Sequence, residues 1–218
     1  MKNLVTVLFS PTATFAGLRE RKLGWIAAFI ALLVVTPIGL WLQTPLMEKT
    51  LRAALEKANS GVDIESMIRF SQQTSYITTP VITIVVVLLG ALLLLFVNMI
   101  VRGEAKYGQL VTVYLYANVP VMIETILSGI LARVTDADSV KDITLSAAAM
   151  LPDKTGLTFE LTKLLNPFSI FALILVVIGT AVMARKPRGS VAVWIVGGWL
   201  VFKIISALVG SLAQGLAA

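Results

Sequence analysis

The chain contains no cysteine and no histidine. The first absence removes disulfides, thiolate metal ligands and thiol nucleophiles. The second removes imidazole zinc sites, histidine-based triads and the usual general base near neutral pH. Charge is also scarce: Asp, Glu, Lys and Arg make up only 14% of the 218 residues. Apolar residues reach 57% and mean hydropathy is +0.90, a composition suited to lipid rather than water.

What fills the chain is long apolar runs. Five of them, at 24–42, 79–101, 109–131, 168–183 and 191–213, approach the ~20 residues a helix needs to cross ~30 Å of hydrocarbon. An all-α fold is therefore expected: a polytopic bundle of five transmembrane helices forming one membrane domain over 1–218, with interfacial amphipathic helices. The connections leave two modest outer loops, 43–78 and 132–167, and no room for a separate soluble domain. The first run is longer than a signal-peptide core, and Trp41-Leu42-Gln43-Thr44-Pro45 makes a poor cleavage site. Trp25 and Trp41 bracket it about 24 Å apart, as interfacial anchors of a retained span would.

The basic excess is placed, not spread. Lys2, Arg19, Arg21 and Lys22 precede the first span against Glu20 alone. Arg102 and Lys106 accompany Glu104 between the second and third spans, and Arg185, Lys186 and Arg188 fill the fourth connection without an acid. The two outer loops are balanced, with four basic and four acidic side chains in 44–78 and four and five in 132–167. The positive-inside rule then puts the N-terminus in the cytoplasm and, after five spans, the C-terminus outside. Cations at membrane edges, without interleaved aromatics, do not form a nucleic-acid surface.

Segments outside the spans are patterned too. Leu4–Phe9 is too short to cross; ended by Ser10-Pro11 and followed by Thr14, Phe15 and Leu18, it reads as a helix-turn-helix on the cytoplasmic surface. Met47, Leu51, Ala54, Leu55 and Ala58 share one helical face, with Glu48/Arg52 and Arg52/Glu56 spaced four apart on the other. Ser60-Gly61 should break that helix and Asp63 cap a second carrying Ile64, Met67, Ile68 and Phe70, giving a helical hairpin resting on the outer membrane face. Pro80 should open the second span, where its missing N–H costs little. Phe159, Leu161, Leu164 and Leu165 suggest another interfacial stretch before Asn166-Pro167.

Chemistry-bearing motifs are almost absent: there is no Gly-rich phosphate loop, metal-binding pair or nucleophile elbow. Asp136-Ala137-Asp138 with Asp142 has Lys141 and Ala147 where a calcium loop needs glycine and glutamate, so a solvated acidic turn is expected. No catalytic residue, metal site or cofactor is assigned. The unusual residues lie inside the spans. Glu124 in the third and Lys203 in the fifth sit about 22 Å and 20 Å from the cytoplasmic face, at nearly equal depth. They form a membrane-buried ion pair fixing helix register, or line a polar path with Asn98 and Asn118, or face water and head groups separately. Pro120 has no N–H for the Tyr116 carbonyl, so the third helix should kink there. Ser206-xxx-Gly210 is a small-xxx-small hint of close packing in the fifth span.

Several landmarks occur in order: Ser10-Pro11 with Phe15, Tyr107-Gly108-Gln109-Leu110, Tyr116-Ala117 with Pro120, Leu165-Asn166-Pro167-Phe168, and Ile178-Gly179. Together they resemble the Yip family, the Ypt/Rab-interacting membrane proteins and their bacterial relatives, over nearly the whole chain. The resemblance implies five spans with a cytoplasmic N-terminus and no established catalysis. Eukaryotic relatives carry an extended cytosolic N-terminal region and are thought to bind Rab-type GTPases. With about two dozen residues before the first span, a bacterial-type member of a prokaryotic inner membrane is expected here, and a GTPase partner is not. The expected role is a scaffold or accessory factor whose partners are the lipid bilayer and another membrane protein or a second copy of itself. The competing expectation is a small transporter or channel for an ion, lipid or peptide, with its path along the third and fifth spans.

Overall fold

A computed structural model of the chain describes residues 2–57, 63–139 and 142–216, the last five as backbone only. The regular structure in these residues is helical: α1 (Lys2–Phe9), α2 (Pro11–Arg19), α3 (Ile26–Lys57), α4 (Ile64–Ile100), α5 (Tyr107–Ala117), α6 (Val119–Val134), α7 (Gly156–Thr162), α8 (Pro167–Ala184) and α9 (Arg188–Leu216), with a short 3-10 turn at Ala147–Met150. Five helical segments are long and apolar enough to span a membrane: Ile26–Lys57, Ile64–Ile100, Tyr107–Val134, Pro167–Ala184 and Arg188–Ser211. The α5–α6 pair is central. It packs on α4 and α8 through α5 and on α3 and α8 through α6, whereas α9 lies at the edge against α7, α8 and α4.

The structure corrects two expectations about the outer side. Residues 47–57 are not a separate helix on the membrane surface but the continuation of the first span, because α3 runs unbroken for 32 residues, about 48 Å. Likewise α4 runs 37 residues, about 55 Å, which makes Pro80 an interior residue rather than a helix start. Both exceed the ~30 Å hydrocarbon thickness, so a two-helix hairpin extends beyond it. Prolines inside α3 are tolerated because other groups meet the backbone around them. The Thr36 and Thr44 hydroxyls donate to the carbonyls of Leu32 and Leu40, and the Arg133 guanidinium donates to those of Trp41 and Leu42. At the tip, Asp63 caps α4 by accepting from the Glu65 N–H at 3.2 Å, and Arg52 bridges to Glu65 at 2.6 Å. The turn expected at Ser60-Gly61, and Ala58 before it, lie outside the described residues.

The N-terminal pair departs from a surface-lying hairpin as well. Ser10 separates the two helices and Pro11 opens α2, as its fixed φ favours. The helices are then drawn into the end of the bundle: Val7 and Phe15 are wholly buried, and Thr14 donates to Thr6 at 3.0 Å between them. Gly179 makes the space. A Cβ there would lie 2.7 Å from Val113 Cγ1 and 2.9 Å from Phe15 Cζ, so α2 approaches α8 only over a glycine.

At this same end, α4 and α8 each finish on an arginine in the left-handed region, Arg102 (φ 52°) and Arg185 (φ 54°). The Lys186 N–H then closes onto the Ala181 carbonyl and the Gly103 N–H onto that of Asn98, the wrapped ending that satisfies last-turn carbonyls. On the other side, α7 packs against α9 and against the 3-10 turn at Ala147–Met150. Phe159, expected at the membrane interface, is instead buried where α7 packs against α9, while Leu161 and Leu165 remain exposed.

Candidate functional site around the third span

The third span is divided. Helix α5 ends at Ala117, Asn118 adopts φ −82° and ψ −1°, and α6 restarts with Pro120 as its second residue. Asn118 spends its amide on this break, donating from Nδ2 to the Tyr114 carbonyl at 2.7 Å. Pro120 is fully buried. Above the break, Glu124 is half-buried and its Oε1 accepts a short hydrogen bond from Asn166 Nδ2. Asn166 is also the N-cap of α8, its Oδ1 accepting the N–H groups of Phe168 (2.9 Å) and Ser169 (3.1 Å). One asparagine thereby fixes the start of the fourth span and ties it to the third. Because α8 begins here and runs 18 residues to the opposite end, Glu124 stands level with the N-terminal end of that span and not at its middle.

The Glu124–Lys203 ion pair is not formed: the two groups do not come within 4.0 Å. Equal depth proved insufficient because α6 and α9 pack on α8 rather than on each other. Lys203 instead lies with its Nζ 5.9 Å from the Trp199 ring centroid. Asn98 is buried and local: Nδ2 donates to the carbonyls of Gly103 (3.3 Å) and Ala105 (3.2 Å), and Oδ1 accepts the Ala105 N–H. It therefore shapes the α4–α5 connection. Gly103 is required there, since a Cβ would fall 2.7 Å from that of Ala184. The four polar residues thus meet four separate local demands.

The landmark residues converge more than the charges do. Phe15 sits in the core against Val113 and Gly179, Tyr116 of α5 is buried in the same core, and the Tyr107 hydroxyl donates to the Leu88 carbonyl at 2.9 Å. The Gly108 carbonyl accepts from Thr112, and Gln109 both accepts the Lys106 N–H and donates to the Arg19 carbonyl. Pro167 and the half-buried Phe168 follow the Asn166 cap. Among the contacts that escaped sequence reasoning are Arg133 on Trp41, Arg188 to Thr12 (2.7 Å), and Lys49 to Asp138 (2.6 Å). The last gives the acidic turn a structural partner. The Lys49 ammonium holds the Asp138 carboxyl below the usual carboxylate range, chiefly by direct hydrogen bonding. Among the described residues no cluster of carboxylates is arranged to hold a metal ion.

Long apolar helices, a proline-broken central span and basic residues gathered at one end define a polytopic α-helical membrane protein. The order of its packing landmarks agrees with a family-wide match: residues 5–211 fit the Yip1 domain model, and the chain belongs to that family. No curated protein and no solved structure matches it.

Proposed function

We propose that the chain is an integral scaffold or accessory protein of a prokaryotic inner membrane, with its N-terminus in the cytoplasm and its C-terminus outside, working without catalysis or cofactor. The observation that carries this reading is where the family's landmark residues are spent. Phe15, Tyr107, Tyr116, Asn166 and Gly179 all hold helices to one another. Fixed in that way, the bundle displays two surfaces: the α3–α4 hairpin on one side and the basic end with Arg21, Lys22, Arg102 and Lys186 on the other. The basic end suits an anionic leaflet, and the hairpin suits a membrane-protein partner or a second copy. A transport path along the third and fifth spans has less support, because Glu124, Lys203, Asn98 and Asn118 each serve a different local contact.

The test is extraction with native lipid into polymer nanodiscs, followed by mass spectrometry beside an unrelated five-span protein. A protein recovered in stoichiometric amount with this chain alone supports the accessory role. Recovery without any such protein, together with liposome flux that Glu124→Gln abolishes, replaces it with the transport reading.

A further inference from the structure

The outer hairpin carries a groove of about 320 Å³ between the second half of α3 and the first half of α4. Its walls run from Leu40 through Met47 and Leu51 to Ala54 on α3, and include Ile68 and Tyr76 on α4. Leu40 and Ala54 are fourteen residues apart, about 21 Å along a helix, so the groove is long for its volume. That volume is at the small end for a ligand site, too small for a whole phospholipid.

The lining reads as polar in sequence, with Thr44, Glu48, Thr50, Gln72 and Ser75, yet its surface is mostly apolar. The reason is where the polar atoms are used. Thr44, Thr50 and Ser75 donate to the carbonyls of Leu40, Leu46 and Ser71 in their own helices, at 2.7–2.9 Å. The Glu48 carboxylate is taken by Arg52 through one oxygen and by Gln72 through the other. A charged ligand finds no uncommitted counter-charge here, and a linear apolar one finds nothing to desolvate. The end of the groove at Leu40 lies inside the first span, and beyond it the same helix faces carry exposed apolar side chains, Leu33 on α3 and Ile82 and Val86 on α4. The groove therefore continues the lipid-facing surface outward beyond the hydrocarbon.

We propose that this groove binds one acyl chain of a bilayer phospholipid, drawn up between α3 and α4 while the head group stays at the membrane surface. The proposal does not depend on the scaffold role, since a transporter or a scaffold could hold lipid in this way.

The test reconstitutes the full chain in vesicles of phosphatidylethanolamine and phosphatidylglycerol containing a phosphatidylglycerol with a diazirine near one acyl terminus. Photolabelled positions are then mapped by peptide mass spectrometry. Label on peptides carrying Met47, Leu51 and Ile68 is expected at a level comparable with that on the lipid-facing Leu93. Filling the groove with Ala54→Trp, or making it polar with Leu51→Gln, should cut the groove label at least fivefold and leave Leu93 labelling unchanged. Leu93 labelling and far-ultraviolet circular dichroism report whether each variant has folded, and excess unlabelled lipid provides a competition on the unaltered chain. Groove label no higher than on the exposed loop residue Met150, or label that survives competition and both substitutions, overturns the proposal.

Discussion

The Arg133 guanidinium stacks over the Trp41 indole, 4.2 Å from the ring centroid, and its Nη2 donates to the Trp41 carbonyl at 2.8 Å. That carbonyl is the one Pro45 leaves without a helical donor, since it lies four residues earlier and proline has no N–H. An arginine near the end of the third span thus repairs a defect in the first and lets α3 continue into the hairpin. Arg133→Met should lower stability by about 1–2 kcal/mol, the loss of a charged hydrogen bond and an exposed cation–π contact. In a Pro45→Ala background the same substitution should cost clearly less, because an alanine supplies the missing N–H. A double-mutant cycle on thermal unfolding in detergent measures this coupling; additive effects would exclude the repair role.

The contact of Phe15 with Gly179 yields a second prediction. Gly179→Ala places a methyl 2.7 Å from Val113 Cγ1 and 2.9 Å from Phe15 Cζ in a packed core. Overpacking of this kind costs about 1–3 kcal/mol. Relief should come by release of α2, so limited proteolysis within residues 2–22 should accelerate while the spans stay protected. Equal protection of α2 in the variant and the parent chain would show that the core absorbs the methyl elsewhere.

Much of this architecture is legible in the sequence, and the parts that are not fail for identifiable reasons. Span positions follow from hydropathy because lipid forces every backbone group into a helix. Where a helix stops is less legible: α3 passes Pro37 and Pro45, and the group that makes this possible at Pro45, Arg133, is about ninety residues away. Pairing across the bundle is less legible again. Depth along the membrane can be counted from the sequence, and Glu124 and Lys203 do have similar counts, but their azimuth around α8 cannot. Asn166 could have been read as a helix cap before Pro167, though not as the partner of Glu124, because one amide performs both tasks through different atoms.

Those assignments separate the two intramembrane charges experimentally. Glu124→Gln keeps an oxygen that can accept from Asn166, so folded yield should remain close to that of the parent chain. Asn166→Leu removes the α8 N-cap as well as the contact and should cost about 0.5–2 kcal/mol from the cap alone. Lys203→Met should leave yield unchanged or raise it, since a lysine within a span carries an insertion cost, which falls from about 2.5–3.5 kcal/mol at mid-depth towards the interface. Among the described residues Lys203 has no anionic partner within 4.0 Å to offset that cost. Fluorescence-detected size exclusion of the three variants provides the comparison. A collapse in yield for Lys203→Met would mean that its charge has an essential partner.

The hairpin tip should respond to acid. Asp63 caps α4, and hydrogen bonding from Ser66 and the Glu65 N–H holds its carboxyl below the ordinary value of 3.8. A carboxyl depressed in the folded state contributes stability at pH values above its unfolded pKa, and loses it as pH falls through the folded value. The first turn of α4 and the Lys49–Asp138 tie, whose carboxyl is shifted in the same direction, should therefore loosen together below about pH 4 and be insensitive between pH 6 and 8. Asp63→Asn retains a good N-cap without a titrating group, so α4 should keep its first turn but lose the acid dependence there. Hydrogen exchange of residues 64–67, after correction for the intrinsic effect of pH, reads this directly. Identical acid responses in Asp63→Asn and the parent chain would assign the loosening to the Lys49–Asp138 tie instead of the cap.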